Sequence, residues 1–129
     1  MFKRILIVDD SVAARMIIKQ YLEIVGCRES EFLEVGDGRE ALGALKEKSV
    51  DLIVTDMNMP NMGGSEFISH LKASPKFLKI PVIIVSSAVN EDNRARFMNF
   101  GANFVIGKPV SPQLLYKAVS SLDVEGQEA

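Results

Sequence analysis

Asp9 and Asp10 close the apolar run Ile5-Leu6-Ile7-Val8. Asp56 follows Leu52-Ile53-Val54 within two residues, Ser86 and Ser87 end Val82-Ile83-Ile84-Val85, and Lys108 stands just past the segment Asn103 to Ile106. If the four runs are neighbouring strands, their ends converge on one small mouth. Three carboxylates gathered there repel one another, and two unit charges about 4 Å apart cost on the order of 4 kcal/mol at an effective dielectric near 20. A cation must offset that. An all-oxygen ligand set with no His or Cys nearby favours Mg2+ or a similar hard ion, which keeps several waters and leaves positions open for a phosphate oxygen. The chemistry suggested is phosphoryl transfer. Asp56 is the candidate nucleophile, because a carboxylate can accept a phosphoryl group as an acyl phosphate. Such a transfer needs mainly positioning and charge neutralisation, which Mg2+, Lys108 and a serine hydroxyl can supply.

The elements that must hold these residues are short apolar runs alternating with segments of helical period. The three strongest runs are continuous rather than alternating, as expected of parallel strands covered on both faces. Weaker strands are expected at Glu31 to Val35 and Asn103 to Ile106. Ala14, Ile17, Ile18, Tyr21, Leu22 and Val25 form one face of a first helix that stops near Gly26. Four more helices are expected at roughly Gly38 to Glu47, Gly64 to Ala73, Glu91 to Phe100 and Ser111 to Leu122, the last with Ser111 as N-cap and Pro112 at its first position. Five βα repeats imply an α/β domain with a doubly wound parallel sheet, right-handed crossovers and helices on both faces. Ligands bind such sheets at the carboxyl ends of the strands, where the chain order reverses.

Plainer readings exist for each residue. Asp10 or Ser11 can simply N-cap the first helix, Asp56 can be a loop acid and Lys108 a solvated one. Independent caps, however, have no reason to place acids, a hydroxyl and a lysine at the ends of four core strands. Asp51, at the opposite end of its strand, is given no role.

Composition sets outer bounds. With 129 residues, of which 47% are hydrophobic, the chain fits one domain with one real core and no output domain: residues 1–122, then a short tail over 123–129. Fifteen basic and seventeen acidic residues give a net charge of -2, so nothing draws the whole molecule to nucleic acid or an anionic membrane. The single Cys27 allows no internal disulfide, and the run after Lys3-Arg4 is too short for a signal peptide or membrane span. The expectation is a cytoplasmic monomer.

The segments "ILIVDDS", "EVGDGREAL", "DLIVTDMNMPNMGG", "PVIIVSSA" and "GANFVIGKP", in this order, resemble the response-regulator receiver domain of bacterial two-component systems in its stand-alone, CheY-like form. The resemblance runs from about Phe2 to Leu122 and implies the flavodoxin-like (βα)5 fold with strand order 2-1-3-4-5. It implies that a histidine kinase phosphorylates Asp56, and that Asp10, Asp56 and the backbone carbonyl of Asn58 bind Mg2+, with Asp9 helping through water. Lys108 would contact the phosphoryl group and Ser86 would swing toward it as the switch. The Lys108-Pro109 bond would be cis, aiming the lysine into the pocket, whereas X-Pro bonds in general are cis in only about 5 to 6% of cases. The chain is then a phosphoacceptor rather than an enzyme, supporting its own phosphorylation and autodephosphorylation. Its output would be chemotaxis-type docking to a downstream protein through the fourth helix, fifth strand and fifth helix, where Arg94 and Lys117 lie. A phosphorelay intermediate or a phosphate sink is the alternative.

Three positions depart from the family pattern. Val105 stands where the family often has the aromatic coupled to the switch, and Phe104 faces the other side of its strand. Gly63 replaces a common Asp and removes a good N-cap from the third helix. Ala88 lies two residues past Ser86, where many members carry a polar residue near the attacking water. Two rival classes remain. A Mg2+-dependent phosphohydrolase of the haloacid dehalogenase type would want a second acid where this chain has Asn58. A binding module of the same fold would be either a receiver that works without phosphate or flavodoxin-like, and the latter would want a hydroxyl-rich phosphate loop where this chain has Asp9 and Asp10. His70 is read as a surface residue, Met57, Met59 and Met62 as loop and helix packing, and "GDG" at Gly36 to Gly38 as a helix start.

Overall fold

The computed structural model describes residues 2–122, so the tail expected over 123–129 lies outside the described residues. Five parallel strands, β1 (Arg4–Val8), β2 (Glu31–Val35), β3 (Leu52–Thr55), β4 (Val82–Ser86) and β5 (Phe104–Gly107), form one sheet in the order β2-β1-β3-β4-β5. The helices between and after them are α1 (Val12–Leu22), α2 (Gly38–Glu47), α3 (Gly64–Lys72), α4 (Arg94–Asn99) and α5 (Pro112–Leu122). This is the flavodoxin-like arrangement that the family resemblance implies. The chain first moves outward from β1 to β2, then returns past β1 to build β3, β4 and β5. The reversal therefore falls between β1 and β3, which are paired through Val8 and Thr55 at their carboxyl ends.

Alternation along the strands divides the core in two, since successive side chains point to opposite faces. Leu6, Val8, Ile53, Val82, Ile84 and Val105 pack with residues of α2, α3 and α4. Ile5, Ile7, Leu52, Val54, Ile83, Val85 and Ile106 pack with α1 and α5. Burial on both faces is why β1, β3 and β4 carry no polar alternation, whereas the edge strand β2 is only partly buried and carries Glu31 and Glu34.

Helix ends follow local chemistry. Ser11 caps α1 by accepting the Ala14 N–H at 3.1 Å, and Ser111 caps α5 by accepting that of Leu114 at 3.1 Å. Past Leu22, α1 runs into one π-helical turn over Glu23–Cys27, which ends where Gly26 takes a φ of 124°, a conformation open to a residue without Cβ. Burial on α1 centres on Ile18 and Leu22. Ile17, expected to face inward, is 43% exposed because it lies one helical step off that line. The fourth helix begins at Arg94 rather than Glu91. Asn90 and Asn93 each accept the other's backbone N–H, at 2.9 and 2.8 Å, and hold a turn that delays the helix. Asp51, at the far end of the sheet, accepts the backbone N–H groups of Lys3 and Arg4 at 2.8 and 2.9 Å and so ties down the start of β1.

Candidate functional site

At the carboxyl ends of β1 and β3 the next residues in register are Asp9 and Asp56, both buried. Asp56 is held by its backbone, whose N–H donates to Val8 O at 2.9 Å, and by the Met57 N–H, which donates to Asp56 Oδ1 at 2.6 Å. Asp9 Oδ1 accepts the Ser11 N–H at 2.9 Å, and the Asp9 carbonyl accepts from the Arg15 guanidinium at 2.6 Å. Lys108 arrives from the end of β5, past the adjacent β4, and its N–H donates to Ser86 O at 3.0 Å. Its Nζ lies 2.9 Å from Asp9 Oδ2 and 3.3 Å from Asp56 Oδ2. Partial burial opposes the lysine's charge, but the hydrogen bond to Asp9 and the field of Asp56 outweigh it and raise the ammonium above the ordinary lysine value.

Asp10 completes the cluster. Carboxylate oxygens of Asp9, Asp10 and Asp56 lie within 4.8 Å of one another. Asp10 is exposed and makes no hydrogen bond among the described residues; Ser11, not Asp10, caps α1. One ammonium against three carboxylates leaves a net negative pocket. The donors are all oxygens and one acid is uncommitted, so the residues present fit a hard divalent cation such as Mg2+.

The other expected residues are placed as follows. Ser86 is fully buried at the end of β4, and its hydroxyl accepts the Ala88 N–H at 3.2 Å rather than bonding Asp56. Asn58 lies exposed on the loop after β3. The Lys108–Pro109 peptide is cis. Val105 is buried in the α2-α3-α4 core and Phe104 packs in the opposite one, so the aromatic ring is on the wrong side of β5 to stand in for it. The Val105 carbonyl accepts a hydrogen bond from the Arg94 guanidinium. Met57 and Met62 are buried and Met59 packs against them, while His70 is half-exposed beside Glu66. Gly63 occupies the N-cap of α3 and supplies no side-chain bond.

Sequence reasoning missed three contributors. Arg15 also reaches Glu34 at 3.4 Å, tying the β1–α1 turn to β2. Gly64 lets the β3–α3 loop fold back, its N–H donating to Met57 O at 2.9 Å, and a Cβ there would fall 2.8 Å from Met57 Cα. Asp37 and Asn61 join across the end of the sheet at 2.8 Å. Only glycine's place in the "NMGG" turn carried a signal; the other two depend on contacts remote in sequence.

Comparison with known proteins places this geometry. A family model described as the response regulator receiver domain matches residues 5–120. A chemotaxis protein CheY homolog of Campylobacter jejuni is 35% identical over 113 residues, covering 87% of this chain and 85% of that protein. Among solved structures, the signal receiver domain of a signal transduction histidine kinase from Syntrophus aciditrophicus is 32% identical with a TM-score of 0.82, covering 95% of this chain and 91% of that one. The chemotaxis response regulator CheY4 of Vibrio cholerae is 27% identical with a TM-score of 0.81, covering 95% and 99%.

Proposed function

Because this chain belongs to the response regulator receiver domain family, we propose that it is a two-component signalling protein that takes a phosphoryl group on Asp56 from a histidine kinase. The observation that carries the reading is the meeting of Asp9, Asp10, Asp56 and Lys108 at the reversal point of the sheet. In the transfer, the N–P bond of a phosphohistidine breaks as phosphorus bonds a carboxylate oxygen of Asp56. The leaving imidazole takes up a proton and the product is an acyl phosphate. Lys108 stands where charge on the transferred oxygens must be offset. Asp10, Asp56 and the Asn58 carbonyl would hold Mg2+, with Asp9 acting through water, and the ion when bound supplies further neutralisation of those oxygens. Water returns the carboxylate and inorganic phosphate.

Signalling follows from Ser86. Its hydroxyl, now engaged by the Ala88 N–H, exchanges that partner for a phosphoryl oxygen, and the change passes to β5 and α4 without the usual aromatic. The phosphorylated form docks another protein through the face that bears Arg94 and Lys117. Likeness to a protein named for chemotaxis supports this output. The second reading, a relay or phosphate sink, is supported by a comparable likeness to the receiver domain of a histidine kinase. Amide NMR with Mg2+ and beryllofluoride, on wild type and Asp56→Asn, tests the reading. Wild-type shifts reaching Ser86, Arg94 and Val105 and lost in the variant are expected. Shifts confined to the pocket would favour the relay or sink, and no response would contradict both.

A further inference from the structure

The loop that carries Asn58 leaves the site and is fastened at its far end to α2. Asp37, buried at the N-cap of α2, uses both carboxylate oxygens: Oδ1 accepts the Glu40 N–H at 2.8 Å and Oδ2 accepts from Asn61 Nδ2 at 2.8 Å. Beside it the Gly38 N–H donates to Met62 O at 2.9 Å. A Cβ on Gly38 would fall 2.9 Å from both Met62 Cγ and Phe67 Cβ, so loop and helix are in close approach. Asn61 has a φ of 64°, the one positive value outside glycine among the described residues. That conformation is disfavoured for a residue with Cβ, though Asn tolerates it better than most. It persists where the surroundings enforce it: Asn61 is the central residue of a three-residue turn closed by the Met62 N–H on Pro60 O at 2.6 Å, and the bond to Asp37 fastens its side chain.

We infer that Asp37 and Asn61 are positioning residues, a clamp between α2 and the β3–α3 loop that holds the Asn58 carbonyl in reach of the acid cluster. The inference rests on the proposed role of that cluster as a Mg2+ site. Neither residue touches the cluster: both oxygens of Asp37 are already committed, and the clamp acts through the chain between Met57 and Asn61. The loop is closed on the near side by the Gly64 N–H on Met57 O, so its shape is set from both ends. The Asn61 amide and, next, the Glu40 N–H also hold the Asp37 carboxyl below the usual aspartate value, as a fully used carboxylate requires.

Two substitutions separate the clamp from general stability. Asn61→Gly keeps the left-handed backbone accessible and removes the side-chain amide. Asp37→Ser keeps a helix cap but is too short to reach Asn61. Both are read in the full chain by amide NMR without metal and by Mg2+ titration. The remote Asp37→Ser is expected to displace the Asn58 and Met59 resonances of the metal-free protein. Each variant should weaken Mg2+ binding about threefold or more, and the double variant no further than the worse single one. Unmoved loop resonances in Asp37→Ser, or moved resonances with unchanged Mg2+ affinity, would overturn the clamp. Wild-type protein that binds no Mg2+ would instead overturn the reading of the acid cluster, and with it the clamp's purpose.

Discussion

Lys108 bridges Asp9 and Asp56, and Asp10 has no counterpart among the described residues. Without metal the pocket is therefore over-supplied with negative charge. Relieving one exposed repulsion is worth about 1 kcal/mol, so Asp10→Asn should raise the metal-free unfolding midpoint while abolishing stabilisation by Mg2+, both measurable by thermal melts. In wild type, Mg2+ at a hundred times its Kd should add about 2.7 kcal/mol, reversed by a chelator. Asp37 gives a pH test. Its folded carboxyl is depressed below the ordinary 3.8, so its contribution is present above that value and lost as pH falls through the folded one. Asp37→Ala should cost about 1 kcal/mol at neutral pH, with the gap narrowing below pH 3.8 in denaturant titrations. The acids and Lys108 were legible because each ends an apolar run. The Asp37–Asn61 bond was not: "GDG" reads only as a helix start and Asn61 as one residue of a loop, and their pairing is fixed only by how α2 packs beside the loop.

At the scale of elements, the continuous apolar runs located β1, β3 and β4, because burial on both faces leaves no other pattern, while β2 and β5 carried weaker signals. The caps at Ser11 and Ser111 set two helix starts in the same way. The start of α4 was misplaced because Asn90 and Asn93 satisfy each other's backbone and compete with the helix, an exchange that apolar periodicity does not register. The β3–α3 loop is the element on which the site most depends. Adding Cβ at Gly64 would press it against Met57 Cα and the Asp56 carbonyl, backbone that cannot move aside as a flexible side chain would. Gly64→Ala should therefore destabilise by about 1–3 kcal/mol and slow phosphorylation by acetyl phosphate. A variant with wild-type stability and rate would show that the loop is freer than this packing implies.

Over the whole molecule, the strand order makes the site. Because the chain reverses between β1 and β3, two successive strands in space bring Asp9 and Asp56 together, and β5 delivers Lys108 from the far side of β4. Helices on both faces leave the strand ends as the open edge. No helix among the described residues is long and apolar enough to cross a membrane. The α4-β5-α5 face, to which the proposed function assigns docking, is joined to the site through Ser86, Lys108 and the Arg94–Val105 bond. Pull-downs should capture a partner from the phosphorylated form and not from Asp56→Asn; equal capture would remove the switch. Everything proposed for this protein turns on Asp56 as the phosphoacceptor. Its most direct test is treatment with acetyl phosphate and Mg2+, trapping of the acyl phosphate with borohydride, and peptide mass mapping. Reduction to homoserine at position 56 alone, dependent on Mg2+, is the expected result. Trapping at another acid, or none in protein shown by mass to carry phosphate, would contradict it.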